Sequence, residues 1–304
     1  MVNRLLKRIF KRFKQELKTF YLSYIRKYIR LSSYPYISGD TFRKMSNHIF
    51  DERGKIDLFK IEDNDILFIK TDYLEDFIEN YINKIDKKIS LIFHNSDLSF
   101  DEKHAKYFTN KNFTVFSQNL ITDYTKFKNI YPLPIGLENR SYFMNGKLKN
   151  FNIVLNLSQR KEKNKLVLCG FNPNTNNERK VILELTSQNQ NITFLRYSSN
   201  VEYLTKISEH KFNLCPEGNG ADTHRFWETL LMGAIPIVKR SNLILNFEKF
   251  GIPMLILDDW KELITLKDEK LNKFYEINNQ KLINNDYIYF DYWKQFINKK
   301  SIET

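Results

Sequence analysis

Residues 211–238 read KFNLCPEGNGADTHRFWETLLMGAIPIV, and their order decides the fold class. Residues 211–215, with Phe212, Leu214 and Cys215 apolar, are a strand-length segment that stops at Pro216. Residues 216–223 are polar and contain Gly218 and Gly220. Residues from about 222 to 232 carry apolar groups at helical spacing, with Asp222 and Thr223 placed to cap the start and Gly233 placed to stop the end. Residues 235–238 are a second short β-branched run. Strand, glycine-containing loop, helix, strand is the unit of a parallel α/β layer.

Working outward, the same alternation recurs on both sides. Strands are expected at 166–169, 192–196 and 254–257, and helices at 177–188 and 201–209. Before a polar break near 146–152 a separate set appears, with strands at 66–70, 89–93 and 113–116 and a helix over 73–84. Two such sets predict two Rossmann-like α/β domains facing a cleft, over 34–150 and 151–265. A helical tail over 266–304 follows, with Phe274, Ile277, Tyr289, Trp293 and Phe296 available to cover a surface. Ser32-Ser33-Tyr34-Pro35 separates this body from residues 1–31.

That first segment holds most of the charge. The chain has 304 residues and a formal net charge of +12, and residues 1–30 contain ten basic side chains against Glu16 alone. Leu5, Ile9, Phe13, Leu17, Tyr21, Tyr24 and Tyr28 recur at three- and four-residue steps, so an amphipathic helix with a basic face is expected. Such a helix suits an anionic membrane surface; a helix docked on the body with its basic side in water fits the same pattern. No nucleic-acid motif accompanies the charge, so nucleic acid is not expected as a partner. No apolar stretch approaches the ~18 residues of a membrane-spanning helix. Cys169 and Cys215 are too few for a disulfide framework, which suits a reducing compartment.

The loop at 216–223 lies where a strand hands over to a helix, the usual place for ligands in open α/β sheets. Helix-start amides favour an anion such as a phosphate. Arg225 is one turn from Glu228 and His224 is four residues from it, so the three share a face. An arginine and a carboxylate so placed would hold a nucleotide diphosphate; a surface Arg–Glu pair behind a glycine turn reads equally well. Asp97, after the strand at 89–93, is either a general base or a cap for the segment from Ser99. Asp63-Asn64-Asp65 has the D-x-D form of some metal sites but precedes a strand in the first set, and it reads as a loop. No zinc spacing, P-loop, G-x-S-x-G elbow or dinucleotide fingerprint is present.

The run PEGNGADTHRFWETLLMGAIPIV resembles the donor-site signature of exostosin-like glycosyltransferases, including relatives of ribitol xylosyltransferases. More distantly it is similar to fucosyltransferases with two Rossmann domains. His94-Asn95-Ser96-Asp97, Pro134-Ile135-Gly136-Leu137-Glu138-Asn139 and, weakly, Asp258-Asp259-Trp260 extend the resemblance. It implies a GT-B fold with the acceptor side mainly in the first domain and the nucleotide-sugar donor mainly in the second. The donor set would be Arg179, Gly218, Asn219, Gly220, Asp222, Thr223, His224, Arg225 and Glu228. Arg225 and the 218–220 loop would meet the diphosphate, and Glu228 the ribose or sugar. Arg179 is a phosphate ligand or a solvated helix residue, and His224 equally a packing residue that orients Arg225.

An inverting transfer needs a base: Asp97 first, with His94 and Glu138 as the other candidates. Fixed positive charge would stabilise the leaving diphosphate, so neither a metal nor another cofactor is expected. Together with the basic segment, the resemblance suggests transfer to a glycan or lipid-linked glycan in capsule or lipopolysaccharide synthesis, at the cytoplasmic face of a bacterial membrane. A fucosyltransferase-like enzyme with a guanosine donor, and a non-catalytic glycan-binding scaffold, are the rival readings.

Overall fold

The computed structural model describes residues 29–303 apart from 110, 143, 159–161, 188, 190 and 197–198. The helix expected over 1–31 therefore lies almost wholly outside the described residues. The body forms two five-stranded sheets, and every strand pair in both is parallel.

The first sheet comprises β1 (His48–Phe50), β2 (Ile66–Lys70), β3 (Ile89–His94), β4 (Phe113–Ser117) and β5 (Ile130–Pro132), laid side by side in chain order. All residues of β3 and β4 are buried, as expected for central parallel strands covered on both faces. Helices α1 (Gly39–Met45), α2 (Leu74–Asn80) and α3 (Glu102–Lys106) supply the cover. α2 is shorter than the periodicity over 73–84 predicts. The amides of Tyr81 and Ile82 both return to the Phe77 carbonyl, which closes the helix in a turn.

A linking helix, α4 (Leu148–Ser158), leads into the second domain. Asn150 Nδ2 donates to Asn200 Oδ1 at 3.0 Å, so α4 packs on that domain, and the expected boundary at 150–151 falls inside it. The second sheet is built from β6 (Lys165–Cys169), β7 (Ile192–Phe194), β8 (His210–Leu214), β9 (Ile235–Lys239) and β10 (Leu255–Leu257). Its strand order is β10-β9-β8-β6-β7. Helices α5 (Asn177–Thr186), α6 (Asn200–Glu209), α7 (His224–Leu231) and α8 (Asn242–Glu248) connect the strands.

The tail is two helices rather than one, α9 (Asp268–Ile283) and α10 (Phe290–Glu303), separated by a short turn at Asp286–Ile288. α9 stays with the second domain through Phe274 and Tyr275 against Phe212. α10 crosses back. Its Trp293 is fully buried against Trp227 and Phe250, while Phe296 meets Phe116 and Tyr131 of the first sheet. Truncating an aromatic buried to that extent costs roughly 3–5 kcal/mol, so this helix is a principal tie between the domains.

Candidate active site

The loops after β3 and β5 and the loop between β8 and α7 meet in the cleft. Asn119 reaches across from the first domain: its Oδ1 accepts the Asp222 amide at 2.8 Å while its Nδ2 donates to the carbonyls of Ser96 and Leu98. Asp222 returns the contact, its carboxylate accepting from the Ile135 amide at 2.7 Å and from Trp227 Nε1 at 3.0 Å. His224 Nδ1 donates to the Gly136 carbonyl at 2.8 Å. Farther along the seam, Asn246 Nδ2 donates to the carbonyls of Leu120 and Thr122.

Two adjoining cavities of about 230 and 540 Å³ occupy the space so enclosed. Together they fall within the ~300–1,000 Å³ of small-molecule sites. The smaller is lined by all nine residues of the expected donor set, with Asp97 and Glu138 facing them. The larger includes His94, Asp97, Glu138, Asn219 and His224, so the two share their central residues. A hollow of about 780 Å³ beside Val181, Leu185 and Ile264 contains none of these residues.

On the second-domain wall the cations are held by backbone carbonyls and rings. Arg179 is buried, not solvated. Its Nε donates to Glu217 O at 2.7 Å, Nη1 to Asn172 O at 3.0 Å and Nη2 to Pro216 O at 3.2 Å. It therefore shapes the loop that carries Gly218, besides lining the cavity. Arg225 Nε donates to Gly170 O at 3.2 Å, and its guanidinium lies 5.7 Å from the Phe171 ring and 5.8 Å from that of Tyr203. Arg179 sits 5.5 Å from the same Phe171 ring. Guanidinium groups this close to aromatic rings gain cation–π attraction, which helps to hold their charge at this wall.

Close approach explains the glycines. A Cβ on Gly218 would lie 3.2 Å from Arg179 Nη2, and one on Gly220 would lie 3.0 Å from Asn119 Nδ2. Asn219, between them, lines both cavities. Thr223 occupies the cap position of α7 and lines the smaller cavity, but its side chain makes no capping bond.

Three carboxylates have distinct surroundings. Glu228 is buried, and burial pushes it up to about 7, with nearby Glu138 adding to the rise and Arg225 opposing it. Burial also pushes Asp222 up to about 7, against the bonds from Ile135 and Trp227. This residue is a clasp between the domains rather than a helix cap. Glu138 accepts from the amides of Asn145 and Gly146 and from Asn145 Nδ2, holding its own turn together.

The first-domain candidates separate in the same way. His94 does not fit the part of a base. It is buried, Nε2 donates to Pro134 O at 3.0 Å, and Nδ1 accepts the Asn95 amide at 2.7 Å, so both ring nitrogens are committed. Burial lowers it to about 4, which keeps it neutral. Asp97 is exposed on the bend after β3, and its carboxylate makes no hydrogen bond among the described residues. It caps nothing: the following helix is capped by Asp101, which accepts from the His104 amide. Asp63 and Asp65 take backbone amides from Lys88 and Glu62 in the turn before β2 and are loop residues. Among the described residues, no group of three or more acidic, histidine or cysteine side chains could hold a metal ion, and no helix is long and apolar enough to cross a membrane.

Sequence reasoning missed Phe171, Tyr203 and Asn119, and placed Gly136 in a motif without seeing that its carbonyl holds His224. Gly170, at the end of a predicted strand, was the available signal for Phe171. Tyr203 reads as a core position of an amphipathic helix, and nothing in the spacing ties Asn119 or Gly136 to the second domain.

Two Rossmann-like domains facing a cleft, with an arginine-lined pocket between them, are the GT-B type of architecture that the sequence led us to expect. No family model matches the chain, and no curated protein matches it in sequence. Among solved structures it is similar to an α,α-trehalose 6-phosphate synthase from Burkholderia multivorans, at 9% identity over 80% of this chain and 72% of that one, with a TM-score of 0.47. A structure from E. coli bound with UDP-2-fluoro glucose matches at 10% identity over 80% and 74%, with a TM-score of 0.47. An α1,3-fucosyltransferase matches at 15% identity over 77% and 84%, with a TM-score of 0.33.

Proposed function

We propose that this chain is a glycosyltransferase that moves a sugar from a nucleotide diphosphate to a hydroxyl of a glycan acceptor. The observation that carries the reading is the convergence, on the second-domain wall, of Arg179, Arg225, the Gly218–Gly220 loop and the start of α7. Amides, a helix end and two oriented guanidinium groups are a diphosphate site by their chemistry. Glu228, its carboxylate buried without a hydrogen bond among the described residues, is suited to accept ribose or sugar hydroxyls. The adjoining larger cavity, reached from the first domain, takes the acceptor.

In this reading the donor's anomeric carbon sits between the two cavities, and displacement from the acceptor side inverts its configuration. The departing diphosphate meets charge that is already in place, so the mechanism draws on no divalent ion. The acceptor is a glycan of a cell-surface polysaccharide such as capsule or lipopolysaccharide. The basic segment 1–30 brings the enzyme to the anionic inner face of the membrane, each Lys or Arg near the surface contributing about 1 kcal/mol. Support for this part is the composition of the segment together with the sequence resemblance.

Release of nucleoside diphosphate from a panel of UDP-, GDP- and CDP-sugars, with EDTA present, tests the activity. One base class should be turned over and the rest left intact. No release from any sugar, alone or with oligosaccharide acceptors, would refute the reading. Flotation with vesicles containing anionic lipid at low salt tests the membrane step, which fails if vesicles recruit the full chain no better than neutral ones.

A further inference from the structure

Where the two cavities join, three groups with acid–base chemistry come together: Asp97, Glu138 and His224. Glu138 has its oxygens committed to the amides of Asn145 and Gly146 and to Asn145 Nδ2. Asp97 stands on an exposed bend, and no hydrogen bond among the described residues orients its carboxylate. A group whose position is not fixed forgoes most of the advantage of intramolecular placement.

His224 is the one that is oriented. Its Nδ1–H donates to the Gly136 carbonyl at 2.8 Å. That carbonyl is itself fixed. Gly136 has φ +67°, a Cβ there would lie 2.4 Å from the Ile37 carbonyl, and the next amide, Leu137, donates to that same carbonyl at 2.9 Å. With the proton held on Nδ1, a neutral imidazole has its lone pair on Nε2. Nε2 makes no hydrogen bond among the described residues, and the ring lines both cavities. His94, the other imidazole nearby, has the reverse arrangement and no spare nitrogen.

We propose that His224 is the catalytic base, taking the acceptor hydroxyl's proton on Nε2, rather than a donor-binding residue. The proposal rests on the transferase reading above. As the acceptor oxygen bonds to the anomeric carbon, the bond from that carbon to the diphosphate oxygen breaks and its electron pair leaves with the nucleoside diphosphate. The hydroxyl proton goes to Nε2, and the imidazolium, still donating from Nδ1 to Gly136, passes a proton to solvent. The charged and titratable groups that face the ring are Glu138, Asp97, Arg225 and His94. Burial and the neighbouring Arg225 keep the resting ring neutral, its pKa below the usual imidazole value, while Glu138 and Asp97 favour the cation formed during transfer. Its place as the first residue of α7 adds the helix dipole to the side of neutrality.

The variant that isolates the proposal is His224→Asn, whose side-chain amide can still donate to Gly136 but carries no base. Transfer should fall by roughly 100-fold or more, the scale of general-base catalysis, while nucleoside diphosphate affinity stays within about threefold. The rise of kcat/KM with pH that reports deprotonation of the ring should vanish in this variant and persist in Asp97→Asn. Transfer retained within about fivefold with the pH limb intact would overturn the proposal, as would loss of nucleoside diphosphate binding. A second readout needs no activity: ¹⁵N–¹H correlation spectra of the ligand-free protein at pH 7 should show His224 protonated at Nδ1 and bare at Nε2. A proton on Nε2, or an imidazolium, would overturn the proposal even in an active enzyme. The expected tautomer in a protein that releases no nucleoside diphosphate would instead refute the transferase reading, and this proposal with it.

Discussion

Both sheets have five parallel strands, yet only one of them reverses. In the first, β1 to β5 lie in chain order; in the second, the order β10-β9-β8-β6-β7 turns back between β6 and β8. A reversal sends the flanking connections to opposite faces and opens a crevice at the carboxyl ends of the two strands. The arginines sit there: Gly170, just past β6, holds Arg225, and Pro216 and Glu217, just past β8, hold Arg179. The first sheet does not reverse, and its share of the cleft comes mainly from the turns after β3, β4 and β5. The arginine-bearing wall thus follows from topology and the opposite wall from local turn chemistry. Substitutions on the two walls should therefore differ in what they disturb.

The largest effect on binding belongs to Arg225→Ala. At ~1.5–3 kcal/mol for each charge-assisted hydrogen bond, nucleoside diphosphate affinity should fall by roughly 100-fold in calorimetric titration, whereas Asp97→Ala should leave it nearly unchanged. Equal losses in both variants would break the contrast between the walls. Next comes Asp222→Ala, which strands the buried Ile135 amide and Trp227 Nε1 and should lower unfolding free energy by about 2–4 kcal/mol in denaturant titration. A loss under about 1 kcal/mol would mean that this residue does not clasp the domains.

Glu228→Gln sharpens the account of the donor wall through pH. A carboxyl raised to about 7 in the folded protein, above its ordinary value of 4.5, stays protonated there while the unfolded chain ionises. Its contribution to stability is therefore lost as pH rises from about 4.5 to 7. Wild type and Glu228→Gln should be equally stable near pH 4, and the variant should be more stable at pH 8 by about 1–3 kcal/mol. A difference independent of pH would contradict the assignment. The smallest effect is expected of Gly220→Ala, because the added methyl asks Asn119 and the Asp97 carbonyl to give by only a few tenths of an ångström. A change of a few-fold in nucleoside diphosphate affinity, with stability within about 1 kcal/mol, is expected.

The second-domain wall of the cleft was legible in the sequence because strand, loop and helix there are consecutive and periodic. Residues 235–238 and 66–70 are strands where the apolar runs place them, and His224, Arg225 and Glu228 line one cavity as their shared helical face requires. Short elements were hidden: α1, β1 and α8 have three to seven residues, too few for a period to show, and are fixed by what they pack against. His94 and Asp222 were misjudged for one reason. Both follow a pattern suited to an accessible group, but their hydrogen-bond partners, Pro134 and Ile135, come from another strand or the other domain. Partners distant in the chain leave no trace in spacing. The same applies to the Gly136 carbonyl, which sets the tautomer of His224 from 88 residues away.

The most direct test of the central claim, that the crevice between β6 and β8 holds a nucleoside diphosphate, is thermal unfolding of wild type and Arg225→Ala with UDP, GDP, CDP and ADP in EDTA. Selective stabilisation of the wild type by one base, absent from the variant, is the predicted result. Equal stabilisation of both proteins, or none by any of the four, would contradict it.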